Sequence, residues 1–257
     1  KLEVGKMIGI PQHEALGFTN AKLSAKFLGA KKRTWHDERE LDLPTDLDYH
    51  FIPDELIDFF EETENKNIPD DEFFRRKLSL EFDGVEYVYA YGGVHAGIPN
   101  YRKPKDKSVF ISDVRSLYPS LMIEYDLLSR NVPNPELFER IYYERVEAKD
   151  NENWIMSDAL KLILNTTYGA MLNKYNDLYD PKMGRHVCIY GQLFLSELLF
   201  KLRDECSSFK MINFNTDGIM YELDKEDYRT AKRIITEWEN RTRLVLETDK
   251  VDDVIQK

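Results

Sequence analysis

Two short apolar segments flank Asn-Thr-Asp-Gly at residues 215–218, and together they predict a β-hairpin from Ile212 to Tyr221. Asn, Asp and Gly are the residues that tight turns use, because they tolerate backbone conformations that other residues avoid. The tip of such a hairpin is exposed, so the lone carboxylate of Asp217 is either turn chemistry or one half of a site. The second interpretation requires a partner carboxylate elsewhere in the chain.

Composition limits the classes of protein to consider. The 257 residues are 42% hydrophobic, which is enough for a core. No run of about 18 apolar residues is present, so no membrane span is expected. The two cysteines, Cys188 and Cys206, are too few for a disulfide framework, and the five histidines lack the spacing of zinc ligands. The first residues have neither the apolar core of a signal peptide nor an initial Met.

The charge balance argues against nucleic acid as a partner without excluding it. Lys and Arg number 36 and Asp and Glu 47, a net charge of −11, whereas nucleic-acid phosphates attract Lys and Arg. The charges are unevenly distributed, because acid dominates "DELIDFFEETEN" and base is concentrated in "KFLGAKKR" and "NYRKPKDK". The global charge therefore weakens the nucleic-acid hypothesis and leaves it open.

The remaining pattern predicts an α+β fold. The runs "KLSLEF" and "VEYVYAY" around Asp83-Gly84 predict a second hairpin, and "SVFIS" predicts a buried strand that ends at Asp113. Helices are predicted at "IPDELIDFFEE", "PSLMIEYDLL", "NPELFERIYYERVEAK" (capped by Asn134), "SDALKLILNTTYGAML" (capped by Ser157), "HVCIYGQLFLSELLFKLRDECS" and "KEDYRTAKRIITEWENRT", with a last strand at "RLVLET". This order predicts an antiparallel sheet with helices on one face.

Asp113 is the candidate partner of Asp217. Two aspartates from separate strands can share two divalent metals about 4 Å apart, which activate an attacking hydroxyl and stabilise the leaving oxygen in phosphoryl transfer. Carboxylate oxygens are hard ligands that suit Mg²⁺, and a backbone carbonyl such as that of Val114 can complete the shell. The alternative is that Asp113 caps the helix that follows it.

Three motifs resemble those of the family B DNA polymerases, in the family's order. "DVRSLYPS" from Asp113 is similar to the first palm motif, "KLILNTTYG" from Lys161 is similar to the fingers motif, and "FNTDG" falls where the second palm motif belongs. The resemblance implies the core of a template-directed DNA polymerase, with bacteriophage-type enzymes as the nearest relatives. It also implies primer-template DNA and deoxynucleoside triphosphates as partners, with other replication proteins as further candidates. No membrane is expected as a partner.

The resemblance assigns roles to the hairpin. Asp113 and Asp217 would be the catalytic carboxylates and, with the carbonyl of Val114, would bind Mg²⁺ or Mn²⁺. Asn215 and Thr216 would lie at the primer end. The sequence departs from the family at Asn215, where an acidic residue is usual, and at Gly218, where Ser is usual. These departures affect the positioning of the primer more than metal binding.

A second group of residues would bind the incoming nucleotide. Tyr118, following Ser116 and Leu117, would lie beneath the sugar and exclude a 2′-hydroxyl, although a core tyrosine is the commoner fate of such a residue. Lys161 and Asn165 would face the nucleotide from one helix, because a spacing of four residues places them on the same side.

Further contacts are implied on both sides of that group. Arg145 and Lys149, on the preceding helix, would bind phosphates together with Lys161. Tyr168 and Gly169 would contact the nascent base pair. The alternative for these positions is an ordinary solvated helix face.

The segment "YAYGGVHAG" resembles the family's Tyr-x-Gly-Gly element, with Ala90 where the Tyr belongs. Gly92 and Gly93 would let the backbone approach template DNA, although a turn explains them equally well.

The resemblance also implies a domain organisation. The predicted divisions are an N-terminal mixed α/β region linking exonuclease and palm (1–107), the first part of the palm (108–133), a short two-helix fingers region (134–175) and the second part of the palm (176–257). The interval from Asp113 to Lys161 leaves no room for the extra domain of protein-primed phage polymerases.

The family's exonuclease and thumb are expected to be absent from this chain. Its one Asp-x-Glu match, Asp70 to Glu72, is interpreted as coincidence, and the sequence ends at "DDVIQK", before the family's primer-binding element. The expected location is the cytoplasm, that of the host if the source is viral. The main alternative is a polymerase-like module without catalysis that serves binding or assembly. A reverse transcriptase or another two-carboxylate enzyme is disfavoured, since its motifs differ.

Overall fold

A computed structural model describes residues 1–62 and 68–251, except for the side chains of residues 70 and 71. The Asp70–Glu72 match therefore falls partly outside the described residues, and the terminal "DDVIQK" falls wholly outside them.

Helices dominate the first and middle parts of the chain. In chain order they are α1 (Leu2–Met7), α2 (Gln12–Gly17), α3 (Asn20–Phe27), α4 (Asp54–Glu61), α5 (Asp70–Phe73), α6 (Leu117–Glu124), α7 (Glu136–Asp150), α8 (Trp154–Met171), α9 (Pro181–Glu205) and α10 (Tyr228–Thr242). Across the described ranges, no helix combines the length and the apolar character needed to cross a bilayer.

The strands form one antiparallel sheet. They are β1 (Lys77–Phe82), β2 (Val85–Ala90), β3 (Gly93–Gly97), β4 (Ser108–Val114), β5 (Lys210–Phe214), β6 (Gly218–Leu223) and β7 (Leu246–Val251). Their order across the sheet is β1-β2-β3-β5-β6-β4-β7, and each neighbouring pair is antiparallel. The α+β prediction is confirmed.

Both predicted hairpins are present. Asp83 and Gly84 join β1 to β2 with φ angles of 54° and 74°, the left-handed pair that a two-residue turn between twisted strands requires. The turn at residues 215–217 joins β5 to β6.

The described residues form two compact units. The helical unit comprises Lys1–Glu40 and Tyr118–Val187, and the sheet unit comprises Leu41–Leu117 and Cys188–Lys257. The predicted functional boundaries at residues 107, 133 and 175 stay predictions. The segment 134–175, predicted as a two-helix region, does contain α7 and α8.

Helices cover one face of the sheet in the sheet unit. The Tyr89 hydroxyl on β2 lies 3.0 Å from the Ser196 hydroxyl on α9. On the same face, the Phe110 ring on β4 contacts the Tyr228 ring on α10 at 5.4 Å between centroids. Because side chains alternate between the two faces of a strand, Asp113 projects from the opposite face to Phe110. The carboxylate is thus kept off the helix-covered side.

Several element boundaries differ from those predicted, and three of the differences have a local cause. The side chain of Asn153 caps α8 by accepting from the Met156 N–H at 3.3 Å, so Ser157 is not the cap and lies buried within the helix. Helix α7 begins at Glu136 with Pro135 at the N-cap position and no side-chain cap, so the predicted cap Asn134 is wrong. The last strand begins at Leu246 because α10 continues to Thr242 and Arg243 then adopts a left-handed φ of 60°.

Candidate functional site

Strand β4 delivers Asp113 between two neighbouring strands. In register, Asp113 lies opposite Gly218 of β6 on one side and Glu247 of β7 on the other. A Cβ atom on Gly218 would lie 1.8 Å from Asp113 Oδ1, far inside van der Waals contact. The carboxylate therefore occupies space that only a glycine at position 218 leaves open.

The hairpin tip is tied to the same strand. The Val114 N–H donates to the Asp217 carbonyl at 2.9 Å, and the Asn215 N–H donates to the Gly218 carbonyl at 2.9 Å to close the turn. Asp217 is exposed. The two aspartates identified in the sequence are therefore brought to adjacent backbone positions, one at the end of β4 and one at the tip of the β5–β6 hairpin.

Three carboxylates act on Asp113 at this end of the sheet. Although Asp113 is an exposed residue, partial desolvation raises its pKa, and the negative charges of Asp217, Asp249 and Glu247 raise the pKa further. Arg115 forms an ion pair with Glu247 at 2.7 Å, between two side chains that are each about half exposed. The arrangement concentrates negative charge, which a protein does only at a cost in stability.

Sequence reasoning missed Glu247 and Asp249. The signal was present in "LETDKV", where acidic residues alternate with others and so project from the same face of a strand. What the sequence did not contain was the pairing of β7 with β4, which places Glu247 opposite Asp113 and Asp249 opposite Ile111.

The donor set at this end of the sheet fits a hard divalent cation. Asp113 and Asp217 offer carboxylate oxygens, the ligands that Mg²⁺ prefers. Because the N–H and C=O of one strand residue point to the same side, the Val114 carbonyl is directed toward the hairpin, as its N–H is. Within the described ranges, no group of three or more His, Cys, Asp or Glu is arranged to hold a metal ion. The candidate metal ligands are therefore the carboxylates of Asp113 and Asp217 and the carbonyl oxygen of Val114.

The paired glycines at the start of β3 have different surroundings. Gly93 is buried with φ of 153°, and a Cβ there would lie 2.5 Å from Thr216 Oγ1 of the hairpin. Packing against Thr216 thus gives Gly93 a structural role of its own. Gly92 is exposed, and a Cβ there would meet nothing within 4 Å. Contact of either glycine with template stays a prediction, as does contact of Asn215 and Thr216 with a primer.

The segment after Asp113 is conformationally unusual. Ser116 has a φ of 49°, in the left-handed region that non-glycine residues rarely occupy, and Leu117 behind it is buried. Strain of this kind is found preferentially at functional sites.

In the helical unit, Tyr118 stacks on Tyr168. Their ring centroids are 4.1 Å apart and their planes make an angle of 33°. The two residues that the resemblance assigned to the sugar and to the base pair are therefore in contact. This contact joins α6 to the C-terminal part of α8.

Helix α8 separates a buried face from a solvent-exposed one. Leu160, Ile163 and Leu164 are buried, whereas Lys161 and Asn165 are exposed. The predicted placement of Lys161 and Asn165 on one face is consistent with this exposure.

The remaining predicted residues of the helical unit lie on α7 and near the end of α8. Lys149 is exposed and Arg145 is half-buried, both on α7. Gly169 is exposed, and a Cβ there would meet nothing within 4 Å, so no close packing within the described part of the chain requires a glycine there. Nucleotide binding by this group stays a prediction.

The predicted site residues are divided between the units. The sheet unit contains Asp113, Val114, Ser116, Leu117, Gly92, Gly93, Asn215, Thr216 and Asp217, and the helical unit contains Tyr118, Arg145, Lys149, Lys161, Asn165, Tyr168 and Gly169.

Comparison with known proteins gives similarities of structure, without a match to a family model or a curated protein. Among solved structures, the chain is similar to the family B DNA polymerase from the hyperthermophilic archaeon Pyrobaculum calidifontis, with a TM-score of 0.44 and 15% sequence identity. The similarity covers 71% of this chain and 28% of that polymerase.

Proposed function

We propose that this chain is the palm-and-fingers core of a template-directed DNA polymerase, which adds deoxynucleoside triphosphates to a primer 3′-hydroxyl by two-metal phosphoryl transfer. The observation that carries the proposal is the contact between the end of β4 and the hairpin tip. There, Val114 is hydrogen-bonded to Asp217, and the Asp113 carboxylate lies over Gly218.

The residues of the sheet unit would perform the chemistry. Asp113 and Asp217, with the Val114 carbonyl, would hold divalent metal. Bound Mg²⁺ or Mn²⁺ supplies activation of the attacking hydroxyl and stabilisation of the leaving oxygen. Asn215 and Thr216, at the turn beside Asp217, would position the primer end.

The residues of the helical unit would select and hold the nucleotide. Lys161, Arg145 and Lys149 would neutralise the triphosphate, which is catalysis by electrostatic positioning. The ring of Tyr118, held by its stack on Tyr168, would exclude a 2′-hydroxyl.

The other predicted residues, from both units, would have separate roles. Asn165, Tyr168 and Gly169 would face the base pair from α8, and the backbone around Ser116 and Leu117 would approach the phosphates. Gly92 and Gly93 would lie beside the template.

A module without catalysis is the second candidate. The absence of an acidic side chain at Asn215 favours it, because the tip then carries one carboxylate where the family usually has two. The two candidates make opposite predictions for synthesis.

Primer extension in the presence of Mg²⁺ tests the proposal. The wild-type chain should extend a primer-template, and the Asp217→Asn variant should lose activity on the order of a thousandfold, because it removes a charge that binds metal. The matched control is Asp204→Asn, which changes another exposed aspartate of the sheet unit and should leave extension unchanged.

Both variants need to be shown to fold, by circular dichroism. Chelation of the metal should abolish extension by the wild-type chain. Extension by Asp217→Asn at the wild-type rate would contradict the proposed site, and absence of extension by the wild-type chain would favour the module without catalysis.

A further inference from the structure

A buried asparagine joins two segments of the helical unit. Asn131 is 2% exposed, and its side-chain oxygen accepts from the Arg33 N–H and from Trp35 Nε1, each at 3.2 Å. Its side-chain nitrogen donates to the carbonyls of Asp177, at 3.1 Å, and Tyr179, at 2.8 Å. One amide therefore holds the segment around Arg33 against the loop that follows α8.

An ion-pair network reinforces the same junction. Arg130 binds Asp37 at 2.6 Å and Asp180 at 2.7 Å, and Asp180 has no exposed side-chain area. The guanidinium also lies 3.8 Å from the centre of the Trp35 ring. Asp180 is buried, and its charge is paired with that of Arg130, so few other geometries are favourable. The contact between these segments, called the junction below, is therefore expected to be rigid.

The loop that follows α8 is fixed at its tip. The Tyr175 N–H donates to Asn173 Oδ1 at 3.0 Å, and the Asn176 N–H donates to the Asn173 carbonyl at 2.9 Å. The Tyr175 side chain is nevertheless 85% exposed, the largest value among the exposed large hydrophobic side chains of the described residues. The backbone is thus held in place while the ring projects into solvent.

Basic residues lie on the two segments that Asn131 joins, and one of them contacts this ring. Lys174 Nζ lies 5.2 Å from the centre of the Tyr175 ring, and Lys32 Nζ donates to the Lys174 carbonyl. Lys31 and Arg33 are exposed on the segment that Asn131 holds. We call these five residues, Lys31, Lys32, Arg33, Lys174 and Tyr175, the Tyr175 platform.

The platform is unusual for so acidic a chain. Acidic residues outnumber basic ones by 47 to 36, yet within the described ranges Lys31, Arg33 and Lys174 form no ion pair. Basic residues without an ion pair, on segments joined at a loop that exposes an aromatic ring, fit a ligand with both phosphates and flat rings.

We propose that the Tyr175 platform binds single-stranded nucleic acid, with a base stacked on Tyr175 and the backbone phosphates beside the lysines and Arg33. Stacking on aromatic side chains together with a positively charged track is how single strands are bound without sequence preference. The inference deepens the proposed function, on which it rests, because a template-directed enzyme has to hold a single-stranded template.

Fluorescence anisotropy with a labelled oligothymidylate of about 16 nucleotides tests the platform without any synthesis. The wild-type chain should bind it, and Tyr175→Ala should weaken binding about tenfold. Tyr175→Phe should restore binding, because stacking needs the ring and not the hydroxyl. Tyr143→Ala, at another exposed tyrosine, is the matched control and should bind as wild type does.

The cations are tested by salt dependence. The double variant Lys31→Glu, Arg33→Glu should bind more weakly, and the slope of log K against log salt should fall by about 1.4, since each contact with a single-strand phosphate contributes about 0.7. The double variant Lys225→Glu, Arg229→Glu makes the same change in net charge within the sheet unit and should retain the wild-type slope.

An abasic strand of the same length separates stacking from charge. It should bind more weakly than oligothymidylate and should not respond to Tyr175→Ala. If Tyr175→Ala binds oligothymidylate as tightly as wild type, or if the wild-type chain binds no strand, the platform proposal is overturned. Loss of binding in the charge variant alone would likewise overturn it and indicate a site for an acidic protein or another polyanion.

Failure of the platform and failure of the proposed function are distinguishable. Strand binding that depends on Tyr175, in a chain that does not extend a primer, would reject the polymerase and keep the platform. Extension that depends on Asp217, in a chain whose strand binding ignores Tyr175, would do the reverse.

Discussion

Two regions of the molecule use aspartate in opposite ways. At the end of β4, Asp113 lies among other carboxylates, and their charges raise its pKa. In the helical unit, Asp180 is fully buried against Arg130, which also binds Asp37. The first arrangement brings like charges together and the second pairs opposite charges. Like charges brought together lower stability and are typical of a functional site, whereas paired opposite charges are typical of a structural contact. The contrast therefore separates a candidate site from a structural junction.

The largest loss of stability is expected from a substitution in the ion-pair network of Arg130, Asp37 and Asp180. Asp180→Asn should lower the free energy of unfolding by about 3 kcal/mol, because it removes the charge of a buried carboxylate from its arginine partner. Urea denaturation measures the effect. Glu3→Gln, which breaks the exposed pair with Lys6, is the control and should cost less than about 1 kcal/mol. Equal costs for the two variants would refute the distinction between junction and surface.

Not every contact in the helical unit is expected to serve stability. Tyr118→Ala should raise the incorporation of ribonucleotides relative to deoxynucleotides on the order of a hundredfold, because the ring that excludes the 2′-hydroxyl is gone. Competitive primer extension measures the ratio. Tyr118→Phe keeps the ring and its stack on Tyr168, and should retain wild-type selectivity. Unchanged sugar selectivity in Tyr118→Ala would remove the assignment.

The pairing of Asp37 predicts a dependence on pH. The hydrogen bond from Arg130 lowers the pKa of Asp37 in the folded protein, against the smaller opposing effect of burial. A lowered pKa contributes stability that is present above the unfolded value of about 3.9 and is lost as the pH falls through the folded value.

Asp37→Asn should therefore be less stable than wild type by about 1 kcal/mol at pH 7, with the difference disappearing in acid. Urea denaturation across the pH range measures it. A difference that persists unchanged at low pH would show that Asp37 acts through packing and not through its charge.

The smallest effect has the opposite sign. Asp113→Asn removes one of several like charges, so the free energy of unfolding should rise by less than about 1 kcal/mol at pH 7. The same variant should lose primer extension. A clear loss of stability would indicate that Asp113 is structural, and would cancel the contrast with Asp180.

Local patterns accounted for much of the fold. Asp83-Gly84 and the alternation around it predicted a hairpin that is present, and "SVFIS" predicted the strand that ends beside Asp113. Such features depend on neighbouring residues, and their physical cause is visible in a short window. Asn153, the cap of α8, was missed because Ser157 has the same chemistry four residues later.

Long-range pairing accounts for what was not predicted. Glu247 lies opposite Asp113 only because β7 joins the sheet at its edge, far along the chain from β4. Asn131 similarly bonds to segments on both sides of it in the sequence. Neither residue belongs to a recognisable motif, since its role is set by the tertiary structure.

Gly93 and Gly218, which leave space for side chains at and beside the hairpin, have a consequence for protein engineering. Asp113 fills the space beside Gly218, and Thr216 fills the space beside Gly93. In a library that randomises the turn and its neighbours, these two positions have the least freedom, although Asn215 and Asp217 at the tip are exposed. A redesign of the turn therefore has to keep the two glycines. A larger side chain at Gly218 would displace Asp113, and one at Gly93 would displace Thr216.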